Sequence, residues 1–232
     1  MDPINKAARI AGVFYLVEIL VGPFSLMYVP NVLFVTGDAG ATVHNILTHE
    51  TLFRLGIAGY LLNGVLGLCT VLALYRLLGA VDRGLAAVMV VLGGLMVTPI
   101  FFMNSLNWIA ALMLAQGGGF LGAFDTQQLD ALAMLFVRLH AQGNIVDEVF
   151  WGLWLFPFGL LVMKSGFLPR WLGIWLLVNG AAYVVVSAIG LLAPESYDAA
   201  FNLAFPALLG EIAITLWLLI KGANVKPLPQ AA

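Results

Sequence analysis

The chain has 232 residues, of which 62% are hydrophobic and 9% charged, with a mean hydropathy of +1.01. Soluble domains use roughly 45–50% apolar residues, so a large water-soluble core is excluded, and a formal net charge of −2 gives a nucleic-acid partner no support. The single cysteine, Cys69, falls inside an apolar run, which excludes an internal disulfide framework and a thiolate metal cluster.

Six long apolar runs set the solvent as lipid. The first is predicted over about residues 8–28, with a kink at Gly22-Pro23. It is about 20 residues long and lacks a small-residue cleavage site, so it reads as a retained span and not as a signal peptide. A polar loop follows, with Gly37-Asp38-Ala39-Gly40 and the string from His44 to Glu50. The second span is predicted over about 52–75 and the third over about 85–114, the latter bending at Thr98-Pro99 and ending at Gly117-Gly118-Gly119.

From Thr126 to His140, Leu129, Leu132, Leu135, Phe136 and Leu139 recur at helical spacing among Gln127, Asp130 and Arg138. This pattern predicts an amphipathic helix on the membrane surface. Gly143-Asn144 is expected to separate it from a fourth span over about 145–163, since one helix from 126 to 163 would be about 57 Å long and overshoot the bilayer. The fifth span is predicted over about 171–192 and the sixth over about 201–220, joined by a short turn at 194–198. The expected fold is therefore all-α, a polytopic membrane helix bundle forming one domain over residues 1–222, with a disordered tail over 223–232.

Orientation follows from the basic residues. Lys6, Arg9, Arg76, Arg83, Lys164, Arg170, Lys221 and Lys226 fall on one side, and Arg54 and Arg138 on the other. The positive-inside rule then places both termini in the cytoplasm of a multi-pass cell-membrane protein.

Several strings have a further use: Arg9-Ile10-Ala11-Gly12, Gly37-Asp38, Leu52-Phe53-Arg54, Ser165-Gly166-Phe167-Leu168-Pro169-Arg170, Leu172-Gly173, Gly210-Glu211, Trp217-Leu218-Leu219 and Lys221-Gly222. Together they resemble the bacterial membrane-protein family called domain of unknown function 4386, over nearly the whole chain. The Ser-Gly-Phe-Leu-Pro-Arg string is the most specific. The resemblance implies a multi-span bacterial membrane protein and supplies no catalytic residue. Val149-Phe150-Trp151-Gly152 departs from the paired phenylalanines of relatives, aromatic for aromatic.

An ionised side chain at the bilayer centre costs about 2.5–3.5 kcal/mol or more, so buried acids face a partner or a cavity. Glu18 lies nine residues after Arg9, and Glu211 ten before Lys221. At 1.5 Å per residue each stands about 14–15 Å above the basic edge. Asn179, nine residues after Arg170, reaches a similar level. If their helices are neighbours the three can hydrogen-bond together, as structural glue or as a proton-carrying or ligand-anchoring group.

A second set is expected on the outer side: His44, His49, Glu50, Arg54, Asn104, Asn107, His140, Asp147 and Glu148. Asp147 and Glu148 would open the fourth helix and oppose its N-terminal dipole, and Arg54 could pair with Glu50 four residues earlier. His49, His140 and Glu148 are the candidates for a metal site, but no metal is favoured: His44 and His49 lie about 140° apart around a helix, and no His-Glu-x-x-His string exists. Serine-hydrolase elbows, phosphate loops and Cys-x-x-Cys are missing too. Gly56, Gly59, Gly64 and Gly67 read as helix-packing positions.

Three functions fit this pattern. The leading one is binding, sensing or transport of a small amphipathic or lipid-like molecule in an outward-facing polar cleft, without a cofactor and with the bilayer as the other partner. The others are an intramembrane metal-assisted hydrolase acting on lipid and a structural or regulatory membrane subunit.

Overall fold

A computed structural model describes residues 3–223; the predicted tail beyond Ala223 lies outside these residues. Every regular element among them is helical. Six helices are long and apolar enough to cross a membrane, and the chain is a multi-pass membrane protein. In chain order the helices are α1 (Pro3–Leu33), α3 (Glu50–Leu78), α4 (Arg83–Gln116), α5 (Thr126–Ser165), α6 (Arg170–Leu192) and α7 (Pro194–Ile220), with the shorter α2 (Ala39–Thr48) following α1.

α2 occupies what the sequence reads as a polar loop. Gly37 turns the chain with φ of 80°, and Asp38 then caps the helix, its Oδ1 accepting the Ala41 N–H at 2.8 Å. Within α1, Pro23 removes a backbone donor, and the register shifts to a π-turn over Phe24–Tyr28. The Ser25 hydroxyl donates to the Gly22 carbonyl at 3.4 Å beside this turn. α4 carries a second π-turn, Val91–Met96, just before Thr98-Pro99. Both proline sites thus deform their helices without ending them, as expected where neighbouring groups re-satisfy the freed carbonyls.

The largest correction concerns α5. Its helix runs unbroken from Thr126 to Leu153, so Gly143-Asn144 does not separate an interfacial helix from a span. Gly143 is instead a packing site, where a Cβ would run into the Asn104 side chain, and Asn144 Oδ1 accepts hydrogen bonds from Tyr60 and Asn104. The interruption falls at Trp154, after which the helix resumes over Leu155–Ser165. α7 likewise begins earlier than predicted, because Pro194–Ser196 forms a 3-10 turn leading into Tyr197–Leu208.

The described residues group into two compact units, the first over 3–18, 66–97 and 147–223 and the second over 19–65 and 98–146. The four helices α1, α3, α4 and α5 contribute residues to both. In the first unit the core contains Tyr15, Leu74, Met89, Phe158, Leu172 and Leu218. Its tightest packing is between α5 and α6. A Cβ on Gly152 would stand 2.5 Å from the Gly180 carbonyl oxygen, and one on Gly159 would stand 2.7 Å from that of Gly173. Such small-residue pairs let membrane helices approach backbone to backbone. Ala223, assigned by sequence to the tail, is buried, and its N–H donates to Asn5 Oδ1 at 2.8 Å. The second unit is centred on Val29, Ile46, Phe53, Ile57, Trp108 and Leu112.

Candidate functional site

The first unit gathers the deep acids. On α1, Glu18 Oε2 accepts the Thr70 hydroxyl at 2.7 Å. Gly67 makes room for this carboxyl, since a Cβ there would lie 3.1 Å from Glu18 Oε1. One turn before Glu18, Tyr15 is 1% exposed, and its hydroxyl makes no hydrogen bond of ordinary geometry while lying within electrostatic reach of Glu211, Glu18 and Tyr183. Glu211 follows the interruption of α7 between Leu208 and Gly210. Asn179, fully buried, donates through Nδ2 to the Leu208 carbonyl at 3.3 Å, so it serves this interruption and neither carboxyl.

Asp147 and Glu148 belong to the same unit. Because α5 is continuous, they sit about 30 Å along it from Thr126 at 1.5 Å per residue, so the helix-opening role expected of them does not apply. Asp147 is wholly buried; its Oδ2 accepts the Trp151 indole N–H at 3.0 Å. Glu148, 3% exposed, accepts the Tyr197 hydroxyl at 2.5 Å through Oε1. The second oxygens, Asp147 Oδ1 and Glu148 Oε2, are buried without a donor. Tyr183 of α6 stands T-shaped to Trp151, with ring centroids 6.0 Å apart, and interacts electrostatically with Glu211, Glu148, Tyr197 and Glu18. Both acid pairs and these tyrosines make up one set within the first unit.

This set has no ion pair among the described residues. Arg54 Nε meets Glu50 Oε1 at 2.7 Å, where Gln116 also donates at 3.1 Å, and Lys164 Nζ meets Asp82 Oδ2 at 2.9 Å. Asp82 lies between α3 and α4. The Lys164 hydrogen bond, with the Leu85 N–H on Oδ1, holds its carboxyl below the usual range.

The second unit holds a neutral network. Asn104 Nδ2 donates to the Tyr60 hydroxyl at 3.0 Å, the His140 carbonyl at 3.0 Å and Asn144 Oδ1 at 3.1 Å, and Asn107 donates to Asn104 Oδ1 at 2.8 Å. His140 is 2% exposed and stacks on Trp108 at 4.2 Å, which corrects its reading as an interfacial residue. Its Nδ1 lies 3.1 Å from the Asn104 carbonyl oxygen. A carbonyl only accepts, so Nδ1 carries the proton and Nε2 presents a lone pair. His44 and His49 are exposed. Among the described residues no three His, Cys, Asp or Glu side chains converge as a metal site would require, so His49, His140 and Glu148 are not brought together.

The family follows from the chain as a whole. A family model described as Domain of unknown function (DUF4386) matches residues 10–222. The chain belongs to this family. An uncharacterized protein of Archaeoglobus fulgidus is 34% identical to it over 89 residues, which is 38% of this chain and 52% of that protein. The chain thus spans about half the length of the curated relative it matches. No solved structure matches. In this DUF4386 protein the strings noted in the sequence fall largely at helix ends and close approaches. Gly12 abuts Leu219, and Gly173 meets Gly159. Gly166, with φ of 72°, ends α5, and Ser165 Oγ accepts the Leu168 N–H at 3.1 Å. Glu211 is the deep titratable group within those strings.

The tyrosines escaped sequence reasoning. Tyr15 precedes Glu18 by three residues, and Tyr183 follows Asn179 by four. Helical spacing from a known polar position was the available signal.

Proposed function

We propose that this protein binds and moves a small amphipathic molecule, whose polar end is received by the carboxyl and tyrosine set of the first unit. The observation that supports the reading is chemical. Glu18, Asp147, Glu148 and Glu211 are buried or half-buried without an ion-pair partner among the described residues, linked through Tyr15, Tyr183 and Tyr197. Four carboxyls are costly in a membrane interior, and a merely structural role is met by neutral groups such as those around Asn104. Protonated carboxyls and phenols can hold a polar head by hydrogen bonds and exchange protons during its passage.

The protein resides in the cell membrane with both termini cytoplasmic, on the positive-inside rule.

The test is retention of a native ligand. Protein purified into nanodiscs is extracted and its small molecules compared by mass spectrometry with those of a Glu18→Gln/Glu211→Gln variant. A defined amphipath retained by the wild type and lost from the variant is the expected result. Identical extracts from both would overturn the proposal.

A further inference from the structure

The same set constrains the charge of what it binds, and this inference rests on the reading just given. Three of its hydrogen-bond donors are already committed: Thr70 to Glu18, Trp151 to Asp147 and Tyr197 to Glu148. Beyond these it offers carboxyl oxygens that no donor reaches. Asp147 Oδ1 and Glu148 Oε2 are buried without a donor, and Tyr15, 1% exposed, lies within electrostatic reach of Glu211. No lysine or arginine forms an ion pair with the four carboxyls among the described residues.

We propose that the ligand is a cation on an apolar body, an amine or a quaternary onium ion, whose charge enters this set in exchange for a proton from Asp147 or Glu148. In a low-dielectric interior a carboxyl is held neutral by its own proton or by a neighbouring positive charge. Entry of one positive charge therefore breaks one carboxyl O–H bond. The proton leaves to solvent, the electron pair stays on the carboxylate, and the charge of the set is unchanged. An anion would meet neither guanidinium nor ammonium. Trp151, Tyr183 and Tyr197 lie beside these acids, and aromatic rings attract cations. The groups bearing on Glu148 are Asp147 from α5, Tyr183 from α6 and Tyr197 from α7, while Trp151 bears on Asp147 and Asp198 on Tyr197. Those bearing on Glu211 are Tyr15 and Glu18 from α1 and Tyr183 from α6.

The experiment is equilibrium dialysis of the full chain in uncharged nanodiscs against three phenyl-bearing probes: tetraphenylphosphonium, triphenylmethanol and tetraphenylborate. A pH indicator in weak buffer reads proton release. The expected result is saturable binding of the phosphonium with release of a proton, about tenfold tighter near pH 9 than near pH 6. Asp147→Asn and Glu148→Gln should each weaken it about tenfold or more at an unchanged melting temperature. Should those variants fail to fold, the wild type's proton release decides, with Tyr197→Phe as a milder variant expected to change the pH at which release occurs. Equal binding of the alcohol or the borate, or phosphonium binding without proton release, would overturn the charge assignment while leaving an amphipath-binding protein. Saturable binding of none of the three would overturn both.

Discussion

Glu148 has one oxygen 2.5 Å from a tyrosine hydroxyl and the other buried without a donor. An acid in that setting is best matched by an amide, which keeps the acceptor for Tyr197 and carries no charge. Glu148→Gln should therefore change stability by less than about 0.5 kcal/mol, whereas Glu148→Ala, which strands the Tyr197 hydroxyl, should cost about 1–3 kcal/mol. Unfolding in mild detergent followed by circular dichroism distinguishes them, and equal losses would contradict a neutral Glu148. Asn104→Ala should cost about 2–3 kcal/mol, because Tyr60, Asn107 and the His140 carbonyl all lose a partner. Asp82 behaves oppositely with pH. Its carboxyl is held below the usual range, so its tie to Lys164 stabilises the folded chain above about pH 4 and fades as pH falls through the lowered value. Lys164→Met should weaken that acid-side dependence, leaving the part that the Leu85 N–H supports, read as melting temperature against pH. Counting residues from the basic edges put Glu18 and Glu211 at one depth, because a helix has a fixed rise; that both belong to one unit came from the packing. Tyr15 and Tyr183 were not legible, since a tyrosine in an apolar run reads equally well as packing until its neighbours are known, and Tyr197, in the turn at 194–198, gave no sign of its acid partner.

The α5 and α6 helices meet along two glycine pairs, and this contact sets how close the acids of α5 come to Tyr183. Gly180→Ala should cost about 2–3 kcal/mol, as a Cβ there would stand 2.7 Å from the Gly152 carbonyl oxygen. Gly122→Ala, at a position open to space, should change stability by less than about 0.5 kcal/mol and serves as the control. The six spans were readable from hydropathy because lipid tolerates only internally bonded backbone. The continuity of α5 was not. Gly143-Asn144 has the composition of a helix stop, yet Gly143 admits the Asn104 side chain and Asn144 binds Tyr60. A tertiary contact overrode a local signal, and with it moved Asp147 and Glu148 from a helix mouth to its interior.

For the whole molecule, the positive-inside orientation makes a topological prediction. In a variant lacking Cys69, single cysteines at Gly122 or Ala193 should react with an impermeant maleimide on intact cells, and those at Ala80 or Phe167 only after permeabilisation. The reverse pattern would place the termini outside. The central claim is that the buried carboxyls of the first unit carry and exchange protons. Infrared difference spectroscopy of the protein in nanodiscs, titrated between about pH 5 and pH 10, tests it most directly. The account predicts a protonated-carboxyl C=O band that declines as pH rises and is diminished in Glu148→Gln and Glu211→Gln. A spectrum without such a band, or one unchanged by either substitution, would contradict it.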